Sequence, residues 1–477
     1  MITNPYTLVD WSGIAPLMAL AVTAIVVLLA DLVARTYAKR WAAIFIGGIG
    51  TIAAAVLSAR QYGTSGTVFS GAFALGGFTV VFEEIVLLAL IGSLLLFATT
   101  MQEKRVAGSV ALMLWSATGA LLMVGAANLM TIFLGIELLS LALYCLCGMN
   151  DRVASRESAL KYLVLSSTAS GFLLFGMAFL FGASGSVELS ALTSAGLATS
   201  AFLWTGSALF FVGLAFKLSL VPFHTWSPDV YEGAPMPVTA FMSVATKAAT
   251  LAVLARFIYA ALPTGMASTF LLPLWILAGL SMIIGNLGML AQTDLKRLLA
   301  YSGIAQAGYL LVALAGTTAL GIRYTIYYLV AYALMNLGAF SVAAALSDDH
   351  EAGSSLSTYH GLAHRRPYLA AMMTFFLLAL AGLPPTAGFL GKILLLATGV
   401  TTGYWWLAAL LVIGTAISLF AYTKIIRVMY ARAEGKAQPE IPQSSILALA
   451  SVTLYALALL AMTFYPLTPS NILPLLR

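Results

Sequence analysis

Charge is what this chain has least of. Only 8% of its 477 residues are Asp, Glu, Lys or Arg, against about a quarter in soluble domains. Hydrophobic residues make up 61%, and the mean hydropathy is +0.99. A multidomain cytosolic enzyme is excluded, and lipid is the solvent to reason with. Cysteine is scarce too: Cys145 and Cys147, in YCLCG, are the only two. Alternate positions on a helix point to different sides, and no further cysteine completes a four-ligand set. Both read as small buried apolar side chains, not as metal or iron–sulfur ligands. GxGxxG, P-loop and haem-attachment patterns are missing, so we expect no redox cofactor in this chain. The start, MITNPYTLVDW, has no Lys or Arg, and no small-residue cleavage site follows. The first apolar run is therefore expected to remain as a helix.

What the chain does have is apolar runs of about 20 residues, the length that spans a bilayer. They fall at 11–34, 41–60, 77–100, 107–125, 128–149, 159–182, 200–224, 236–258, 270–291, 295–316, 322–346, 367–399, 402–430 and 443–466. The period-two alternation of an outer-membrane barrel is missing. The fold class expected is an all-α polytopic membrane protein with about 14 transmembrane helices. The basic residues supply an independent check. Alternate loops hold Arg35, Lys39, Arg40, Lys104, Arg105, Arg152, Arg156, Lys161, Lys296, Arg297, Arg365, Arg366, Lys424, Arg427, Arg432 and Lys436. The opposite side holds only Arg60, Arg256, Arg323 and Arg477. Positive charge gathers in cytoplasmic loops, so the first set faces the cytoplasm and both termini lie outside. The net charge of +6 thus reports orientation and not affinity for nucleic acid.

Three lysines remain, Lys217, Lys247 and Lys392, all inside apolar runs, and Glu137 lies mid-helix in NLMTIFLGIELLSLALYCLCG. A lysine at bilayer centre costs roughly 2.5–3.5 kcal/mol on insertion scales. Three of them imply a use, and buried lysines readily exchange protons. The other account is structural pairing or, near a helix end, snorkelling. Two runs are also interrupted. Pro222 breaks 200–224, and Pro384, Pro385 and Gly388 fall within AGLPPTAGFLGK, inside a run of about 33 residues. Non-helical backbone at membrane depth persists only when buried in protein or lining a wet cavity. Spans four to eight and nine to thirteen each hold five helices with the break in the fourth. Five is odd, so such repeats would sit inverted around a transport path.

Glu137, Ser140 and Tyr144 recur at helical spacing, as do Ser243, Lys247 and Thr250. A Glu137–Lys217 pair would offset part of both burial costs, either as a pair that opens and closes or as a static salt bridge. His224 is a relay candidate seven residues beyond Lys217, roughly 10 Å along a helix, though a lone histidine is commonly structural. Lys161 is either a loop charge or a partner for the buried groups. Glu83 and Glu84, near the outer end of the third helix, read as interfacial or as contacts to a neighbouring subunit. Asp229 and Glu232 brace their loop. His350, His360 and His364 have no metal-ligand spacing and are assigned no role.

The stretch FKLSLVPFHTWSPDVYEGAPMPVTAFMSVATKAA, residues 216–249, resembles the signature of the antiporter-like membrane subunits of respiratory complex I. LPPTAGFLGK (383–392) and QTDLKRLLAYSGIAQAGY (292–309) are similar to two further motifs of that family. YEGAP followed by VTAF looks like the N type, not the larger L and M types. The resemblance covers roughly the third to the thirteenth helix; the first 75 residues offer little to compare. It implies 14 helices and two inverted five-helix repeats with broken helices 7 and 12. The divisions are 1–105, 106–260, 268–432 and a C-terminal helix within 440–477. It also implies a hydrated line of ionisable groups along the midplane. Glu137 and Lys217 would be the coupling pair of the first half. Lys247 would be the central lysine, Lys392 the group exchanging with the outside, and His224 part of the same line.

On that reading the chain is a proton-translocating subunit of NADH:quinone oxidoreductase in the bacterial inner membrane. Flavin, iron–sulfur clusters and quinone belong to partner subunits, which include the M and L types and small membrane subunits. The alternative is a subunit of a multi-subunit sodium/proton antiporter. A third possibility is a subunit that pumps nothing and whose buried charges only fix helix packing.

Overall fold

The computed structural model describes residues 7–33, 36–100, 105–194, 200–263, 267–314, 317–347, 354–432 and 444–464. Arg35, Lys104, His350, Lys436 and Arg477 from the sequence reading lie outside these. Among the described residues, twelve helices are long and apolar enough to cross a membrane. They are Ala15–Val33 (α1), Thr36–Arg60 (α2), Gly77–Thr100 (α3), Val106–Gly125 (α4), Leu129–Cys147 (α5) and Val153–Ser184 (α6), then Met236–Ala260 (α9), Ala267–Leu290 (α10), Leu295–Leu314 (α11), Ala319–Ala345 (α12), Trp405–Tyr430 (α15) and Ile446–Phe464 (α16). The two runs flagged as interrupted are divided: Ala201–Lys217 (α7) with Trp226–Gly233 (α8), and Pro367–Ala381 (α13) with Ala387–Thr401 (α14). One small element was not legible from periodicity. Gly66–Val68 (β1) pairs antiparallel with Phe73–Leu75 (β2) in the connection between α2 and α3.

Burial sorts the bundle. The apolar window of α9 is wholly buried, and α11 and α12 are nearly so, whereas α1, α2, α15 and α16 bury only a minority of theirs. In lipid, burying apolar surface gives helices no preference for one another, so close backbone packing does that work. At the α6–α7 contact a Cβ on Gly176 would lie 2.5 Å from the Phe210 nitrogen, and one on Gly206 would lie 2.9 Å from the Gly176 carbonyl. Only hydrogen fits at these two positions.

Helix α6 starts six residues earlier than the apolar run, so Arg156, counted as a loop charge, is helical. Its first turns contain no Pro or Gly, and Glu157 and Lys161 pair at 2.8 Å across one turn, a favourable spacing and order. The first break also differs in detail. Helix α7 stops at Lys217, before Pro222 is reached, because Ser219 takes a left-handed φ of 58° and the Leu220 N–H closes back on the Ala215 carbonyl. Pro222, which has no N–H to donate, lies in the non-helical segment 218–225. At the second break Gly382, at φ 81°, ends α13, and Pro384 and Pro385 follow. The Thr386 hydroxyl then caps α14 by accepting from the Phe389 N–H at 3.2 Å.

Candidate functional site

The three intramembrane lysines are all buried, at 3% exposure for Lys217, 1% for Lys247 and 4% for Lys392. None forms an ion pair with a carboxylate among the described residues; each is held by hydroxyls, carbonyls and ring faces. Lys217 closes α7, and its Nζ donates to the Ser140 hydroxyl on α5 at 2.6 Å and to the Ser166 hydroxyl on α6 at 2.7 Å. It lies 5.5 Å from the centre of the Tyr162 ring, a cation–π distance. Trp226 stacks on Tyr162 at 4.9 Å and donates its indole N–H to the Phe216 carbonyl, which ties α8 back onto the end of α7.

Glu137 is half-buried, and its Oε1 accepts from the Ser170 hydroxyl at 2.5 Å. A direct Glu137–Lys217 ion pair is therefore not present. Serines stand between them: Ser140 one turn beyond Glu137 on α5, and Ser166 and Ser170 one turn apart on α6. The two side chains are held by separate hydroxyls and are not locked in an ion pair.

Lys247 follows a π-helical turn, Met242–Thr246, within α9. Such single turns concentrate at functional sites. Its Nζ donates to the Tyr231 hydroxyl at 3.3 Å. Its other neighbour is Gly303 on α11, where an added Cβ would lie 3.2 Å from both Lys247 Nζ and the Tyr332 hydroxyl. Ser243, in the stripe with Lys247, receives the Asn336 amide at 2.5 Å and the Tyr332 hydroxyl at its carbonyl. Thr250 bonds back within its own helix.

Lys392 reaches from α14 across the second break to the Leu380 and Ala381 carbonyls, at 3.1 and 2.9 Å. These are end-of-helix carbonyls without intrahelical donors, at the negative pole of α13. The ring of Tyr309 lies beneath, 4.8 Å from Nζ.

Sequence reasoning missed polar side chains on α11 that lie between the last two lysines. Gln306 on α11 donates to the same Leu380 carbonyl at 3.3 Å and accepts from the Tyr328 hydroxyl. Ser302 pairs with the Tyr422 hydroxyl at 2.6 Å, and Tyr309 with Asn286 at 2.7 Å. Ser302, Gly303, Gln306 and Tyr309 share one face of α11, which runs from Lys247 to Lys392. The signal was available as polar residues at helical spacing inside QTDLKRLLAYSGIAQAGY.

Other expectations fare unevenly. His224 is half-buried with its Nδ1 shielded and without a partner among the described residues. The helical rise assumed from Lys217 does not apply, because 218–225 is not helical. Glu83 is fully buried on α3, accepting from the Ser58 hydroxyl on α2 at 2.6 Å. Cys147 is buried beside the Met242 sulfur, whereas Cys145 is exposed. Lys161 pairs with Asp229 at 2.9 Å as well as with Glu157. Arg297 in turn meets Asp229 at 2.6 Å and Glu232 at 2.7 Å. Lys296, counted as a loop charge, is fully buried and donates to the Ala234 carbonyl at 2.8 Å.

Partial burial pushes the Asp229 carboxyl up, but the bonds from Lys161 and Arg297 outweigh it and hold it below the ordinary 3.8. A depressed carboxylate stabilises the fold above its unfolded value, and that contribution fades as pH falls through the folded value. The Tm difference between wild type and Asp229→Asn should therefore be present at neutral pH and shrink once the pH drops below about 3.8. A difference that grows in acid would contradict this.

A bundle of apolar helices, interrupted twice beside buried lysines, defines a polytopic membrane protein. The chain belongs to the NADH:quinone oxidoreductase/Mrp antiporter transmembrane family, whose model matches residues 126–418. It is 42% identical over 444 residues to NADH-quinone oxidoreductase subunit N 1 of Symbiobacterium thermophilum, covering 89% of each chain. It is 40% identical over 429 residues to subunit N of Trichlorobacter lovleyi, covering 88% of each. A chain of respiratory complex I from Thermus thermophilus with bound aureothin superposes with a TM-score of 0.82 at 32% identity, over 96% of this chain and 98% of that one. A chain of the Mrp complex from a Dietzia species gives 0.83, over 97% and 96%, at 20% identity, a likeness of fold alone.

Proposed function

We propose that this chain is the N-type membrane subunit of an NADH:quinone oxidoreductase and moves protons from cytoplasm to periplasm through Glu137, Lys217, Lys247 and Lys392. One observation carries the reading: three buried lysines, each beside a break or a π turn, have only neutral partners among the described residues. An amine without a fixed counter-charge gains or loses a proton without dismantling an ion pair, so an approaching charge can set its state. The serines between Glu137 and Lys217 keep that first step adjustable. The α11 face carries the connection from Lys247 to Lys392. Lys161 and His224 lie at the edges of this route as its further candidates.

Moving a charge against a potential takes about 2.3 kcal/mol per 100 mV. The chain is thus driven from outside, by redox chemistry whose flavin, iron–sulfur clusters and quinone reside in partner subunits. Those partners include M and L types, in a bacterial inner membrane with both termini periplasmic. Residues 106–260 and 268–432 act as the two inverted halves. The sodium/proton antiporter reading draws on the same family and the same fold, but the relatives at 40–42% identity are named for subunit N.

The test is the assembled complex in proteoliposomes, with NADH oxidation and lumen acidification followed together. Lys247→Ala should assemble and lose protons moved per NADH oxidised. Poor assembly with normal pumping per turnover would favour a purely structural subunit. Cation exchange without NADH oxidation would favour the antiporter.

A further inference from the structure

At the end of the bundle assigned to the cytoplasm, Asp229 is shared between two helices that otherwise serve different lysines. Its Oδ2 accepts from Lys161 on α6 at 2.9 Å, and its Oδ1 accepts from Arg297 on α11 at 2.6 Å. Helix α6 continues without interruption to Ser166 and Ser170, the hydroxyls on Lys217 and Glu137. Helix α11 continues to Gly303 and Gln306, which meet Lys247 and the Leu380 carbonyl that Lys392 also uses. The short helix α8, which carries Asp229, is itself seated firmly. A Cβ on Gly233 would lie 2.4 Å from the Ala154 carbonyl of α6, and buried Lys296 of α11 holds the Ala234 carbonyl.

We propose that Asp229 is a positioning residue that couples the two halves. It ties α6 to α11, so that a rearrangement around Glu137 and Lys217 is passed to Lys247 and Lys392. It touches none of Lys217, Lys247 and Lys392. The inference rests on the proton-pumping reading above. Asp229, Arg297 and Lys161 are all about a third or more exposed, and exposed pairs contribute little to stability. Loss of the link should therefore show in coupling before it shows in assembly.

The experiment uses the whole complex in proteoliposomes. Asp229→Asn should assemble and oxidise NADH but lose protons moved per NADH, and Asp229→Glu should recover them. Glu232→Gln removes only a second acceptor from Arg297, so it should leave the ratio intact. If Asp229→Asn assembles poorly, the exchange Asp229→Arg with Arg297→Asp decides. It restores the contact to α11 but presents a positive charge to Lys161, so it should assemble and stay uncoupled. A normal ratio in the exchanged protein, or in Asp229→Asn, overturns the proposal. Lys247→Ala is run beside them: a loss there with none at Asp229 sinks only the coupling role, whereas no loss in either sinks the pumping reading itself.

Discussion

Lys217→Met leaves the complex assembled and stops proton transfer in the first half. Methionine matches the length of the lysine stem and is apolar, so it fills the space among Phe216, Tyr162 and Trp226 without a buried charge. Neither serine is stranded. Ser140 already donates to the Ile136 carbonyl at 2.5 Å, and Ser166, one turn from its own helix carbonyls, can do the same. The fold therefore loses little. Transport loses the titratable amine at this break, and a positioned acid–base group is worth about 10²–10⁴-fold. Initial rates of lumen acidification should fall by at least about a hundredfold through this route. Lys217→Arg separates the two accounts of the residue. A guanidinium keeps the charge but does not release its proton at any working pH, so a proton carrier is lost and a static counter-charge is kept. Full pumping in the arginine variant would show that Lys217 serves packing and not transfer.

Gly206→Leu should be strongly destabilising. Its Cβ would lie 2.9 Å from the Gly176 carbonyl oxygen and 2.9 Å from the Leu180 nitrogen, both backbone atoms of α6. Backbone cannot rotate aside, so α6 and α7 must separate. Overpacking of this kind costs about 1–3 kcal/mol, occasionally more, and in lipid no compensating apolar burial is available. Separation also draws Ser166 and Ser170 away from Lys217 and Glu137, so residual complex should pump poorly. Thermal unfolding in detergent measures the first effect, with a fall of several degrees expected. Gly171→Ala is the control on the same helix: nothing lies within 4 Å of its Cβ, so it should be neutral, or stabilising through helix propensity. If Gly206→Leu matches wild type, the close approach of α6 and α7 is wrong.

How much of this was legible depends on distance along the chain. The apolar runs, the lysines within them and both interrupted regions could be read directly, since each is a property of some 20 consecutive residues. Details set by local backbone were harder. The first break begins at Ser219, a left-handed serine with no strong signature, and Pro222 drew attention because its chemistry is conspicuous. The early start of α6 was hidden because its first turns are polar and fail a hydropathy criterion while still forming a helix. Glu83 was only half legible: counting residues from a helix end gives its depth, but not that Ser58 of another helix faces it.

Transfer between water and lipid is nearly additive along a segment, so the sequence by itself determined that the chain crosses a membrane repeatedly, where it is interrupted and which charges it keeps in oil. What those charges touch was decided only by tertiary structure. Lys217 meets serines 77 and 51 residues away, and Asp229 joins residues 68 positions away on either side. Such contacts depend on how helices rotate and approach, down to a glycine that admits a neighbouring backbone or a π turn that re-aims a lysine. Those rotations are set by packing among all the helices at once, and no single segment encodes them.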